Sequence, residues 1–248
     1  MTRFSRTPLI ALVAAGALAL GACSTSESGT DAAAGSESVA TEGTSASNDA
    51  SEGTVTLTDN YGEKTVPSPP KRVVALDNRS FELLDSWGIK PVAAPRDIVP
   101  NSIPGIADDE DILNIGNHRE PNLETIVAAD PDVIISGQRF EKFDEEMQKL
   151  VPDATLLDFE PRDGEPFDRE LIRQTLELGD VFGKQAEAEQ AVQEFTEAVQ
   201  RARSAYDPEQ KVMALNVSGG EIGYVAPGVG RVWGPLFDLI GFTPALEV

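Results

Sequence analysis

The chain has 248 residues, of which 42 are Asp or Glu and 20 are Lys or Arg, for a formal net charge of −22. Such an acidic balance excludes ordinary nucleic-acid binding, which sets a basic face against phosphates, and excludes a polybasic membrane-docking face. One cysteine excludes an internal disulfide or a cysteine-cluster metal site, and one histidine excludes a two-histidine metal site.

At the N-terminus, Arg3 and Arg6 precede an uncharged apolar run from Leu9 to Leu20, shorter than the roughly 20 residues of a membrane span. The run ends in Leu20-Gly-Ala-Cys23, which resembles the lipobox of bacterial lipoproteins. That resemblance implies a signal peptide over 1–22, cleavage before Cys23 and a lipid on the Cys23 thiol. An ordinary secretory signal fits less well, because the only cysteine stands where a lipobox needs it. Residues 23–53 are rich in Ser, Gly, Ala, Thr, Asp and Glu, too poor in apolar groups to offset the entropy of ordering, and are expected to be a disordered tether.

Val55 to Thr58 and Lys64 to Val66 predict two strands around a turn. Arg72 to Leu76 predicts a buried strand, Ser80 to Trp87 a helix stopped by Gly88, and Pro91 to Ala94 a second strand. Residues 96–111 are proline-rich and irregular. Asn122 is a candidate N-cap, with Glu124 in the first turn where the helix dipole favours a carboxylate. Asp130 before Pro131 should end that helix, because the residue before a proline is pushed out of the α region. Val133 to Ile135 reads as a strand covered on both faces, and Ser136 to Arg139 follow at its carboxyl end, where open α/β sheets place ligands. A helix over Glu141 to Leu150 and a strand over Thr155 to Asp158 complete an alternating pattern that implies a parallel sheet between helical layers.

The run Pro121-Asn-Leu-Glu-Thr-Ile-Val-Ala-Ala-Asp-Pro-Asp-Val-Ile-Ile-Ser136 resembles the signature of periplasmic-type binding proteins that serve ABC importers for ferric siderophores, haem and cobalamin. Pro70-Lys-Arg-Val-Val-Ala-Leu76 and Trp87-Gly-Ile-Lys-Pro-Val92 resemble the opening of the same family, and the likeness runs from about Thr54 to Val248. The ferric-catecholate siderophore binders are the branch it resembles most. The resemblance implies an α/β fold of two Rossmann-like three-layer lobes joined by a long rigid helix. The N-terminal lobe would cover 54–165, a helical linker 166–208, and the start of the second lobe 209–248. Gly179 and Gly183 suggest a break within the helical stretch. From Lys211 the strand pattern restarts; a hairpin near Tyr224, a glycine-rich loop to Arg231 and a helix from Val232 to Ile240 follow. So few strands cannot close a sheet, and this second lobe is expected to be truncated as given.

No Gly-x-Ser-x-Gly elbow and no phosphate-binding loop occur, so an enzyme has no residues to stand on. Arg139 at a strand end and Arg231 in a glycine-rich loop are candidate anion clamps, because guanidinium donates in a fixed fork to oxygen anions. In the resembled siderophore binders, arginines at matching positions contact the ligand. Arg79, Arg119 and Tyr224 are weaker ligand-binding candidates, each equally readable as an exposed side chain. His118 reads as a solvated loop residue. Glu124 and Asp238 match the family's permease-docking acids, although Glu124 is also a plain helix-dipole carboxylate.

The resemblance thus implies a lipid-anchored, monomeric, non-enzymatic binding protein on the extracytoplasmic face of the membrane. Its partners would be a ferric siderophore and an ABC permease, with no resident cofactor or metal. Haem or cobalamin binding is the alternative within the family, and a surface enzyme on a flavodoxin-like scaffold is the alternative outside it.

Overall fold

The computed structural model describes residues 53–229 and 232–246. Strands β1 (Gly53–Asp59) and β2 (Gly62–Ser68) form an antiparallel hairpin. The chain then runs through β3 (Val73–Ala75), α1 (Asn78–Ser86), β4 (Ala93–Ala94), α2 (Pro104–Ala107) and β5 (Leu113–Asn114). A small ribbon of β6 (Gly116–Asn117) and β7 (Glu120–Pro121) leads into α3 (Leu123–Ala129) and β8 (Val133–Ser136). After α4 (Asp144–Leu150) and β9 (Thr155–Asp158) come the helices α5 (Phe167–Phe182) and α6 (Gln185–Ala205).

Five strands form one parallel sheet in the order β5-β4-β3-β8-β9. Its core follows from strand alternation, since successive side chains point to opposite faces. Val73, Ala75, Val133, Ile135 and Leu157 face one side and meet Phe81 and Leu84 of α1, Leu178 and Val181 of α5, and Leu57 and Val66 of the hairpin. Val74, Ile134 and Leu156 face the other side and meet Ile126 of α3 and Met147 of α4. The expected three-layer α/β arrangement is therefore present, and α5 is one of its covering helices.

Two helix ends fall where the sequence signals place them. Asp130 ends α3 in the left-handed conformation (φ 46°, ψ 60°). Residue 130 thereby turns the chain tightly, so that Asp132 accepts from the backbone N–H groups of Lys71 and Arg72 at 2.7 and 3.0 Å. The helical stretch after residue 166 is two helices. Gly183 caps α5 in the left-handed conformation at φ 62°, where glycine has no Cβ to clash. Only α6, with Ala188 and Val199 as its buried residues, is a long span with little packed against it.

Beyond α6, β10 (Lys211–Val212) pairs in parallel with β13 (Thr243–Pro244), and β11 (Ala214–Ser218) pairs antiparallel with β12 (Glu221–Val225). Helix α7 (Trp233–Ile240) packs against this end through edge-to-face contacts of Phe242 with Tyr206 and Phe237, 5.0 and 5.8 Å between ring centres. Val217 and Ile222 on the β11–β12 hairpin are 68% and 71% exposed, so its apolar side chains meet no second layer. Among the described residues no helix is long and apolar enough to cross a membrane.

Candidate functional site

The carboxyl ends of β3, β8 and β9 open onto a cleft of about 760 Å³, a size suited to a small-molecule ligand. Arg79, Gln138, Arg139, Glu160 and Arg162 line it from the parallel sheet, and Gly228, Val232 and Pro235 face them from the C-terminal segment.

Arg79 is placed by the cap of α1. The Asp77 carboxylate accepts from the Arg79 backbone N–H at 3.0 Å and from Arg79 Nε at 3.1 Å. Asp77 is fully buried, and Gln174 of α5 donates to its other oxygen. A distal nitrogen of the Arg79 guanidinium meets Glu160. Arg79 is thus a buried-stem cation held between two carboxylates.

Gly137 and Gln138 both have positive φ, 131° and 53°. For Gln138 this is a conformation that costs a non-glycine residue energy and tends to persist at functional sites. A Cβ at Gly137 would sit at ordinary contact distance from an Asp158 oxygen (3.4 Å) and an Arg79 terminal nitrogen (3.6 Å), so it is the φ of 131° that calls for glycine here. The turn aims the Gln138 N–H at Glu160, which accepts it at 2.8 Å.

Arg139 follows, exposed at the cleft wall. Its loop is closed by Asp144 at the start of α4, which accepts from Ser136 Oγ and, at 2.9 Å, from Tyr61 Oη. Burial pushes the Asp144 carboxyl up to about 6, against the pull of those two hydrogen bonds. Tyr61 is pushed up in turn, by burial first and then by the Asp144 hydrogen bond.

His118 stands in the β6–β7 turn. Burial lowers its pKa, and the positive charges of Arg139, Arg119 and Lys142 lower it further. Its Nδ1 is buried with no hydrogen-bond partner. The turn therefore places the imidazole within the field of three cations, which disfavours its protonation. Arg119 itself is exposed, with its backbone N–H bound to Asn117 Oδ1 at 2.9 Å.

The other candidates lie elsewhere. Tyr224 on β12 is outside the cleft lining, with its hydroxyl 3.4 Å from the Leu246 carbonyl. Arg231 and Cys23 lie outside the described residues. Glu124 is exposed in the first turn of α3, whose N-cap Asn122 accepts from the Thr125 N–H at 3.2 Å. Asp238 is exposed on α7 and lines a neighbouring hollow with Arg203 and Asp168. Sequence reasoning missed Glu160, Gln138 and Arg162. The rule that singled out Arg139 also covers Glu160, two residues past β9, but no motif marked it. Among the described residues no group of His, Cys, Asp or Glu is arranged to hold a metal ion.

The periplasmic binding protein family matches residues 73–248, from β3 to the end of the chain. The chain belongs to that family. It is 29% identical over 193 residues to the ferric-anguibactin-binding protein FatB of Vibrio anguillarum, covering 77% of this chain and 59% of that one. It is 26% identical over 192 residues to the petrobactin-binding protein YclQ of Bacillus subtilis, covering 75% and 57%. The chain therefore spans less than three fifths of the length of these two curated relatives. The fold is similar to that of the siderophore-binding protein BauB, solved with two acinetobactin molecules and ferric iron. That match has a TM-score of 0.70 and 23% identity and covers 79% of this chain and 69% of BauB. A TroA-like periplasmic binding protein from Xylanimonas cellulosilytica matches with a TM-score of 0.66 and 26% identity, again covering 79% and 69%. These family members are binding proteins, not enzymes.

Proposed function

We propose that this protein is the extracytoplasmic solute-binding component of an ABC importer and that it captures a ferric siderophore in the cleft. The observation that carries the reading is Arg139, exposed on a cleft wall beside Arg79 and Arg162, whose guanidinium groups carboxylates already hold, in a chain of net charge −22. An acidic protein repels anions in general, so an exposed arginine at a cleft wall is the feature that draws one. An iron complex of deprotonated catecholate oxygens has the matching chemistry, and FatB and YclQ are siderophore binders by name. Arg231, which lies outside the described residues, is the second proposed anion contact, and Arg119 and Tyr224 are not part of the cleft lining. No catalytic step and no resident cofactor belong to this reading.

Delivery would use Glu124 and Asp238 as exposed acids for the permease. A lipid on Cys23, with 23–53 as the tether, would hold the monomer at the extracytoplasmic face of the membrane.

Tryptophan fluorescence tests the capture step. Trp233 is 57% exposed at the start of α7, next to the cleft residue Val232, whereas Trp87 is buried in the core. Ferric siderophore should quench Trp233 at sub-micromolar concentration, and a Trp233→Phe variant should lose most of that signal. No response of the parent protein to any ferric catecholate or hydroxamate overturns the reading.

A further inference from the structure

We infer that Glu160 is a built-in surrogate anion, which occupies the donors of the cleft wall and sets which ligand charge can displace it. One carboxylate oxygen, Oε2, accepts both from the terminal nitrogen of Arg79 and from the Gln138 N–H. These are the two donors that the carboxyl ends of β3 and β8 aim at the cleft. Charge-assisted bonds of this kind are the strong class of hydrogen bond. An incoming anion therefore finds these two donors already taken, with Arg139 still exposed beside them.

The surrounding contacts suit a side chain that swings. The Glu160 backbone is fixed on both sides: its N–H donates to Asp158 Oδ1 at 2.7 Å, and its carbonyl accepts from Asn60 Nδ2 at 2.9 Å. Its side chain is 24% exposed and lines the cleft. Rotation about the side-chain bonds can thus release the donors without moving β9. Arg79 would stay in place when Glu160 leaves, because Asp77 holds its Nε separately at 3.1 Å.

Selectivity follows from the exchange. A multiply charged oxygen anion replaces the lost carboxylate and gains further contact with Arg139. A neutral or cationic complex cannot take over the Arg79 and Gln138 donors, so it leaves Glu160 where it is. This inference takes its ligand class from the siderophore-binding reading, while the contact itself stands on geometry alone.

Two measurements on the parent protein and on Glu160→Gln and Glu160→Ala separate the two ideas. The first uses inorganic phosphate as the probe and the Gln138 amide and Arg79 Nε NMR signals as the readout. Millimolar phosphate should shift both signals in the variants and neither in the parent. The second titrates the iron(III) complex of a hexadentate tris-catechol chelator against the cationic iron(III)–Desferal complex. Both variants should bind the anionic complex more tightly, by roughly tenfold for a released charge-assisted contact. Desferal-complex affinity should not rise in either variant, since a cation loses an attractive carboxylate.

Equal phosphate responses in parent and variants overturn the inference, as does weaker or unchanged binding of the tris-catecholate complex by the variants. If phosphate discriminates as expected while no iron complex binds any of the proteins, Glu160 keeps its role and the siderophore reading falls. The Glu160 side chain is only partly buried and Gln is its isostere, so both variants should fold, which unchanged melting temperatures check.

Discussion

Gln174, in the middle of α5, donates its side-chain hydrogen bond to Asp77, 97 residues earlier at the start of α1. Both residues are buried, at 2% and 0% exposed. The bond ties the helix that covers the sheet to the cap that positions Arg79. Gln174→Leu removes one donor from a buried carboxylate that keeps its Arg79 bonds, and a hydrogen bond to a charged group is worth about 1.5–3 kcal/mol. Urea unfolding should show that loss, with no change of slope if the unfolded state is unaffected.

Gly179 tests how closely α5 and α6 approach. A Cβ at this position would sit 2.5 Å from the Ala188 Cβ, a distance side chains do not reach, and 3.3 Å from the Lys184 carbonyl. Its helical backbone needs no special φ, so the steric clash competes only with the better helix propensity of alanine, about 1 kcal/mol. Overpacking costs typically 1–3 kcal/mol. Gly179→Ala should therefore be neutral to destabilising by about 2 kcal/mol, and Gly179→Val clearly more damaging, in thermal or urea melts. Ala188→Gly in the Gly179→Ala background should recover part of the loss by removing the opposing methyl.

Arg139 and Arg79 should separate binding from stability. Arg139 is exposed, and its removal leaves no buried partner behind. Arg139→Ala should lower affinity for an anionic ferric complex by roughly tenfold, about 1.4 kcal/mol, and leave the melting temperature in place. Arg139→Lys should recover part of that, since the charge remains while the fork geometry is lost. Arg79→Ala leaves the buried Asp77 carboxylate short of its cation and should lower both affinity and stability. If titration calorimetry shows full affinity in both variants, the cleft wall is not an anion site.

Acid should act on two carboxyls with opposite sign. Asp144 has its pKa raised from 3.8 to about 6 by burial, so the folded state takes up its proton before the unfolded state does. Its contribution to stability therefore rises as pH falls from about 6 towards 3.8 and is flat above and below that window. Glu170 has its pKa lowered from 4.5 to about 2, first by the Arg162 hydrogen bond and then with help from Arg173. The stability it supplies is complete above 4.5 and is lost as pH falls through about 2. Urea midpoints measured against pH should show both trends. Asp144→Asn should remove the upper one, worth on the order of 1–3 kcal/mol, and Glu170→Gln the lower one.

Much of the parallel sheet and its covering helices was legible in the sequence, and for a local reason. The β-branched run from Val133 to Ile135, the Asn122 cap and the break at Gly183 are properties of a few adjacent residues. Their consequences for strand, helix start and helix end do not depend on distant partners. The rule that ligands gather at strand carboxyl ends carried Arg139 to the cleft wall, because a parallel sheet brings those ends together whatever the loops contain. Tertiary structure alone decided what meets what at that wall. Asp77, Gln138, Glu160 and Gln174 come from four separate stretches, and nothing in their spacing says that one carboxylate would cover both Arg79 and the Gln138 N–H. A charged side chain's partners depend on where the chain returns in space, and sequence periodicity records only which face a residue is on. For the same reason the sequence could name Arg79 as a cation near a strand end, while the fold decided that two acids already hold it.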